Sequence, residues 1–222
     1  MRELDADIIG LQEVLADEDG SDNDAEKITN ALGYSWFYAP TQLLTPSASY
    51  VLSQLGVKKN KWWGNALLSR YPMSSKRVHA LSEERKRTAL EAVVAVGSEK
   101  LRVFSTHLVH GGGRTEELRE AQVRELLAAV PSTAAIVMGD FNATPESSAV
   151  REMSRIMAQT ESDLSRATIG RHPELYRAAD GATDEQRLDY IFITSDLRAV
   201  ESGIADSDAS DHIPVYALVE LP

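Results

Sequence analysis

Ionisable and amide side chains recur in this sequence at one kind of place, the ends of short apolar runs. Glu13 follows DIIGLQ, His107 follows LRVFST, and Asp140 and Asn142 follow AIVMG. Asp189 opens DYIFIT, and Asp211 with His212 opens IPVYALVEL. A strand holds its terminal side chains rigidly, while the adjoining loop gives them access to a ligand. Buried strands need no charged ends in order to fold. Carboxylates, imidazoles and an amide in such places are suited to holding a hard cation through oxygen and to handling an anion or a proton.

Taken singly, each position also has a plain structural reading. Glu13 would be a solvated strand end and His107 a satisfied core histidine. GDFN, residues 139–142, would be a Gly-Asp turn with Asn142 bonding its own backbone. Asp189 would tie down a neighbouring loop, and Asp211 would cap a turn. Trp62 and Trp63 read as packing or rim residues rather than as a platform for stacking bases. The run Arg85, Lys86, Arg87 reads as a solvated loop, or else Arg87 points at a phosphate.

The elements that must position these groups alternate between two patterns. Apolar, β-rich runs cover Asp7 to Val14, Asn65 to Ser69, Ala89 to Val96, Leu101 to His107, Ala134 to Met138, Leu188 to Thr194 and Ile213 to Leu221. Several of them, such as AIVM and YIFIT, are apolar at consecutive positions, as expected of strands covered on both faces. Helical patterns lie between some of these runs. One is Ala25 to Leu32, with Asp22 or Asn23 as its cap. Another is Thr115 to Val130, with Glu116 and Glu117 in its first turn. Its Val123, Leu126, Leu127 and Val130 fall at the spacing of a buried face. A third helix is expected directly after Thr144, where Thr-Pro-Glu supplies a cap, an early proline and an acid. Pro40 to Lys61 has little periodicity and reads as an insertion or long surface loop. No internal repeat or flexible linker interrupts the chain, so residues 1–222 read as a single domain.

Composition narrows the function classes. Cysteine is absent, which excludes disulfides, thiolate metal sites and cysteine nucleophiles. No stretch approaches the roughly 20 apolar residues of a membrane span, and MRELDADII lacks the features of a secretory signal, in keeping with a cytoplasmic protein. A net charge of −11 weighs against a broad nucleic-acid-binding face, which needs Lys and Arg to neutralise phosphates. It does not weigh against a small phosphoester, because a bound cation inverts the local field.

In order along the chain, QEV, GNALLSRYP, STHL, GDFN, LDYIF and SDHIP resemble the endonuclease/exonuclease/phosphatase superfamily of metal-dependent phosphohydrolases, from about Asp7 to the C-terminus. The resemblance implies an α/β fold of the DNase I type, a four-layer α/β/β/α sandwich. It further implies hydrolysis of a phosphodiester or phosphomonoester by in-line attack of water, with Mg²⁺ or Mn²⁺ as cofactor. Glu13 matches the family's metal ligand, and Asp211 a carboxylate near the metal. Asp140 matches the group that orients or deprotonates water, and Asn142 an amide that holds the phosphate or that water. His212 matches the histidine on the scissile phosphate and Asp189 its carboxylate partner. His107 matches a second histidine that binds phosphate or protonates the leaving oxygen. Asn65 falls where relatives place a substrate-contacting polar residue, and Arg87 is a further candidate for the substrate.

The sequence departs from the family pattern at its start. Family members begin with a strand ending in a metal-site Asn, then a helix; here only MRELDA precedes DIIGLQEV, and it reads as the tail of that helix. A chain lacking that first strand is expected to show poor stability, a homodimer covering the gap, or a rearranged sheet edge. The departure keeps a second reading open, a non-catalytic relative that retains the fold for binding. A third, a nuclease acting on DNA or RNA, is disfavoured by the acidic charge.

Overall fold

The computed structural model describes residues 4–49, 52–53, 55–81, 86–111, 114–169, 185–207 and 209–222. Contacts divide the chain into two compact units, Met1–His107 and Leu108–Pro222.

The first unit contains β1 (Ile8–Asp17), α1 (Asp24–Leu32), β2 (Ser35–Leu44), β3 (Lys61–Ser69), β4 (Met73–Leu81), β5 (Arg87–Val96) and β6 (Glu99–His107). Three of its strands form an antiparallel group in the order β1-β3-β2, and β4, β5 and β6 form an antiparallel meander. The central strand β3 is buried on both faces. Ala66 and Leu68 pack with Val14 and with Ala25 of α1. Residues of the opposite parity face the meander, where Asn65 meets Thr88 and Gln12 of β1 meets Ser105. A strand so enclosed needs apolar residues at consecutive positions, which is why NALLS shows no alternation. Asn23, not Asp22, caps α1, its side chain accepting from Ala25 N at 2.9 Å. Asp22 instead pairs with Lys27 and Lys61.

Two expectations for this unit need correction. Pro40 to Leu44 are part of β2 rather than a loop. Pro40 hid the strand, and it is tolerated because the β2–β3 register shifts beside it, between Pro40 and Gln42. Leu4 and Asp5 form a turn rather than helix, and residues 1–3 of the expected helix tail lie outside the described residues. β4 was not legible at all, because most of it is exposed and its apolar residues are sparse.

The second unit contains α2 (Thr115–Ala129), β7 (Ala135–Asp140), α3 (Ser148–Ile156), β8 (Ala158–Gln159), β9 (Asp189–Ile193), β10 (Arg198–Ile204) and β11 (Val215–Glu220). Strands β7, β9 and β8 pair antiparallel in that order, and β10 pairs antiparallel with β11. On α2, Val123 and Leu126 are buried as expected, and Leu127 and Val130 are half-buried. The third helix begins later than Thr-Pro-Glu suggested. Thr144 O accepts from Ser147 N at 3.0 Å, so these residues make a turn, with Pro145 at its second position. Ser147 is the cap, accepting from Val150 N at 3.2 Å. Glu116 of α2 adds a second cap by accepting from Ser148 N at 2.9 Å.

Candidate functional site

Four of the nominated residues come together in the second unit. Asp140 ends β7 and Asp189 begins β9, and the antiparallel register makes them direct partners. His212 enters from the segment before β11. Its Nδ1 lies 2.8 Å from Asp189 Oδ2 and its Nε2 lies 3.9 Å from Asp140 Oδ2. The first is a hydrogen bond and the second a charge interaction beyond hydrogen-bond length. Burial works against a charge on His212. The Asp189 hydrogen bond and the negative charges of Asp189, Asp140 and Asp211 outweigh it, and raise the imidazole pKa to about 9. At neutral pH the ring is therefore a cation held beside two carboxylates.

Asn142 sits on the turn after β7 with φ of 48°, in the left-handed region that Asn tolerates better than most residues. Its backbone N donates to Asp140 Oδ1 at 2.7 Å, and its side-chain nitrogen donates to Leu108 O at 3.0 Å. The turn is thus built by the residues that serve it. Below lies an aromatic cluster in which Phe141 packs edge-on against Tyr190 at 5.6 Å and tilts against Phe192 at 5.2 Å. Tyr190 OH donates to Ala143 O at 2.8 Å, joining β9 to the same turn.

Sequence reading missed what joins these strands. Thr168 is fully buried, and its Oγ1 accepts from Leu188 N at 2.9 Å and from Asp189 N at 3.1 Å. Its carbonyl accepts from Ile213 N at 2.7 Å, and Ile169 bridges to both Gln186 and His212. This short segment therefore fixes Asp189 and His212 relative to each other. Nothing marked it in the sequence, and residues 170–184 lie outside the described residues. Asp211 is half-buried, and its Oδ1 accepts from Ser210 Oγ at 3.2 Å.

The first unit positions Glu13, Asn65, Arg87 and His107. Leu11 pairs with Ala66 and Val14 with Gly64, so Gln12 and Glu13 together oppose the single residue Asn65. Glu13 is the left-handed residue of this bulge, with φ of 57°, and it is exposed. A non-glycine residue in this conformation costs about 1 kcal/mol or more, and such strain collects at functional positions. A second bulge lies on the other side of β3, where Pro40 pairs with Gly64 and Gln42 with Trp63. Between the bulges the chains approach so closely that a Cβ on Gly64 would lie 2.1 Å from Ala39 O.

Asn65 is buried, and its amide nitrogen donates to Thr88 O at 3.0 Å, so its described contact is with the strand end beside Arg87. Thr106 Oγ1 donates to the same carbonyl at 3.3 Å. Arg87 is not in a solvated loop. It begins β5, and its guanidinium carbon lies 4.7 Å from the Trp63 ring centroid. Lys86 is exposed, and Arg85 lies outside the described residues. His107 is buried at the end of β6 with its ring centroid 5.1 Å from that of Trp63. Trp63 is thus buried against both side chains, and Trp62 is half-buried.

Among the described residues, no His, Asp and Glu side chains gather in groups of three or more that could hold a metal ion. A Mg²⁺ site asks for less, because that ion keeps several waters and takes one or two carboxylates plus phosphate oxygens. The exposed carboxylate of Glu13 suits such a site, as does the half-buried one of Asp211.

The profile of the Endonuclease/Exonuclease/phosphatase family matches residues 1–212. Among proteins of curated function, none matches the sequence. The structure resembles an endonuclease/exonuclease/phosphatase from Beutenbergia cavernae with a TM-score of 0.81 at 23% identity, over 99% of this chain and 64% of that one. It also resembles the catalytic domain of human Nocturnin with a bound sulfate, with a TM-score of 0.70 at 20% identity, over 100% of this chain and 83% of that one. A mannosyl-6-phosphatase from Bacteroides thetaiotaomicron gives 0.67 at 16% identity, over 99% and 87% of the two chains. At these identities the likeness is one of fold, a mixed α/β architecture shared over nearly all of this chain.

Proposed function

Because this chain belongs to the endonuclease/exonuclease/phosphatase family, a family of metal-dependent phosphoester hydrolases, we propose that it hydrolyses a phosphoester bond by in-line attack of water, with Mg²⁺ or Mn²⁺ as cofactor. The observation that carries this reading is the group Asp140, His212 and Asp189, in which an imidazolium is held at 2.8 Å from one carboxylate and 3.9 Å from another. A fixed cation facing a phosphate stabilises the charge that develops on its oxygens during attack. Asp189 keeps His212 charged and oriented. Asp140 orients the attacking water and accepts its proton, and the Asn142 turn holds Asp140 in place. His107 binds phosphate or protonates the leaving oxygen, and Arg87 pairs with the substrate phosphate. Glu13 and Asp211 are each candidates to hold the divalent cation, whose role when bound would be to neutralise phosphate charge.

The net charge of −11 favours a compact phosphoester over a long polynucleotide. The test is a screen of phosphomonoesters, phosphodiesters, nucleic acids and phospholipids with Mg²⁺ and Mn²⁺ in parallel. Turnover should require the metal, and Asp140→Ala or His212→Ala should each lower it by at least ~100-fold, the scale of losing a general base or a charge-stabilising donor. Unchanged turnover in both variants would sink the assignment.

A further inference from the structure

Trp63 carries more contacts to the nominated residues than its reading as a packing residue accounts for. Arg87 is the first residue of β5 and His107 the last of β6, and these strands are neighbours in one antiparallel meander. One indole receives both side chains. The guanidinium carbon of Arg87 lies 4.7 Å from its centroid, and the His107 ring lies 5.1 Å away at an interplanar angle of 51°. Trp63 is itself held rigidly. It is 8% exposed and precedes Gly64, at which β2 approaches so closely that no Cβ fits.

A core position asks only for apolar volume, and Leu or Met would supply part of it. An arginine on a ring face asks for an aromatic residue, because the attraction comes from the ring quadrupole. The same face limits the rotamers of the long Arg87 side chain, which lowers the cost of ordering it against a phosphate. We infer that Trp63 is a positioning residue, whose indole holds Arg87 and His107 as one preorganised pair for a phosphate group. The inference rests on the reading of this chain as a phosphoester hydrolase that uses those two side chains.

The test compares wild type, Trp63→Phe and Trp63→Leu. Inorganic phosphate is titrated into each with Mg²⁺ present, and the His107 ring protons are followed by NMR; melting temperature and turnover are measured alongside. Wild type and Trp63→Phe should bind phosphate within about 3-fold of each other, whereas Trp63→Leu should bind ~10-fold more weakly, the scale of one lost cation–π contact. This separation should persist where the two variants melt at similar temperatures, which a purely structural role would not produce. Equal phosphate affinity in Trp63→Leu and wild type would overturn the inference, as would wild-type protein whose His107 signals ignore phosphate. Wild type that binds phosphate in this way but turns over no phosphoester would instead overturn the hydrolase reading, leaving the role of Trp63 in place.

Discussion

Asp140 and Asp189 face each other across the end of the β7–β9 ladder, two carboxylates in direct register, and His212 touches one of them and lies near the other. Like charges opposite one another weaken a strand pair. Here the protein tolerates them because a third element supplies a cation. The arrangement ties the ionisation of His212 to both the fold and the proposed chemistry.

NMR titration of the metal-free protein should therefore show His212 still protonated at neutral pH, losing its proton near pH 9. In Asp189→Asn the acceptor loses its charge, and the midpoint should fall toward the ordinary 6.5. A midpoint unmoved by this substitution would mean that Asp189 does not hold the charge.

Stability should follow the same titration. Folding raises the pKa of His212, so its contribution is complete below about pH 6.5 and fades as pH rises through about 9. Melting temperature should decline over that window in wild type, and Asp189→Asn should flatten the decline. Thermal scans from pH 6 to 10 in matched ionic strength would read both curves.

Thr168→Val keeps the shape of a fully buried side chain but removes the acceptor for Leu188 N and Asp189 N. Two buried donors left without a partner should destabilise the protein by about 3 kcal/mol. Urea unfolding would measure the loss, and turnover should fall in the folded variant because Asp189 is no longer fixed. Wild-type stability in Thr168→Val would refute the role given to this side chain.

Glu13→Gln should weaken Mn²⁺ binding by ~10-fold or more, since a hard cation loses a charged oxygen ligand. Glu13→Gly should abolish that contribution too, yet cost little stability, because relief of the φ of 57° offsets the entropy that glycine adds to the unfolded chain. Mn²⁺ titration by electron paramagnetic resonance and thermal melts of the metal-free variants would separate ligand from backbone. Unaltered Mn²⁺ affinity in both variants would exclude Glu13 from the site.

On a DNA oligonucleotide, any cleavage should depend weakly on salt, with a log–log slope near zero, because a chain of net charge −11 has few cations to spare for phosphates. A steep slope would point instead to an extended basic groove and a nucleic-acid substrate.

Strands buried on both faces, such as β3 and β7, were legible in the sequence because their apolar runs are unbroken. So were the polar residues at their ends, since side chains such as Asp140 and Asp189 stand out against apolar neighbours. Elements stabilised by pairing rather than by an apolar face were not. β2 was concealed by Pro40, and β4 and β10 by their exposed residues. Thr168 was invisible for a different reason, because a hydroxyl that accepts two backbone donors looks like any other threonine. The start of α3 was misplaced because Thr-Pro-Glu serves a turn as well as it serves a helix. The link from Trp63 to His107 depends on two strands far apart in sequence, and no local pattern encodes it.

Gly64 gives the first unit an unusual mutational profile. Its neighbours Trp63 and Asn65 reach Arg87, His107 and Thr88, and the backbone of Ala39 occupies the space where a methyl group would go. In a saturation library scored for turnover, codon 64 should accept glycine alone, although the residue has no side chain to offer a substrate. A screen that ranks positions by chemical reactivity would pass over it; one that ranks them by lost activity would find it beside the histidines.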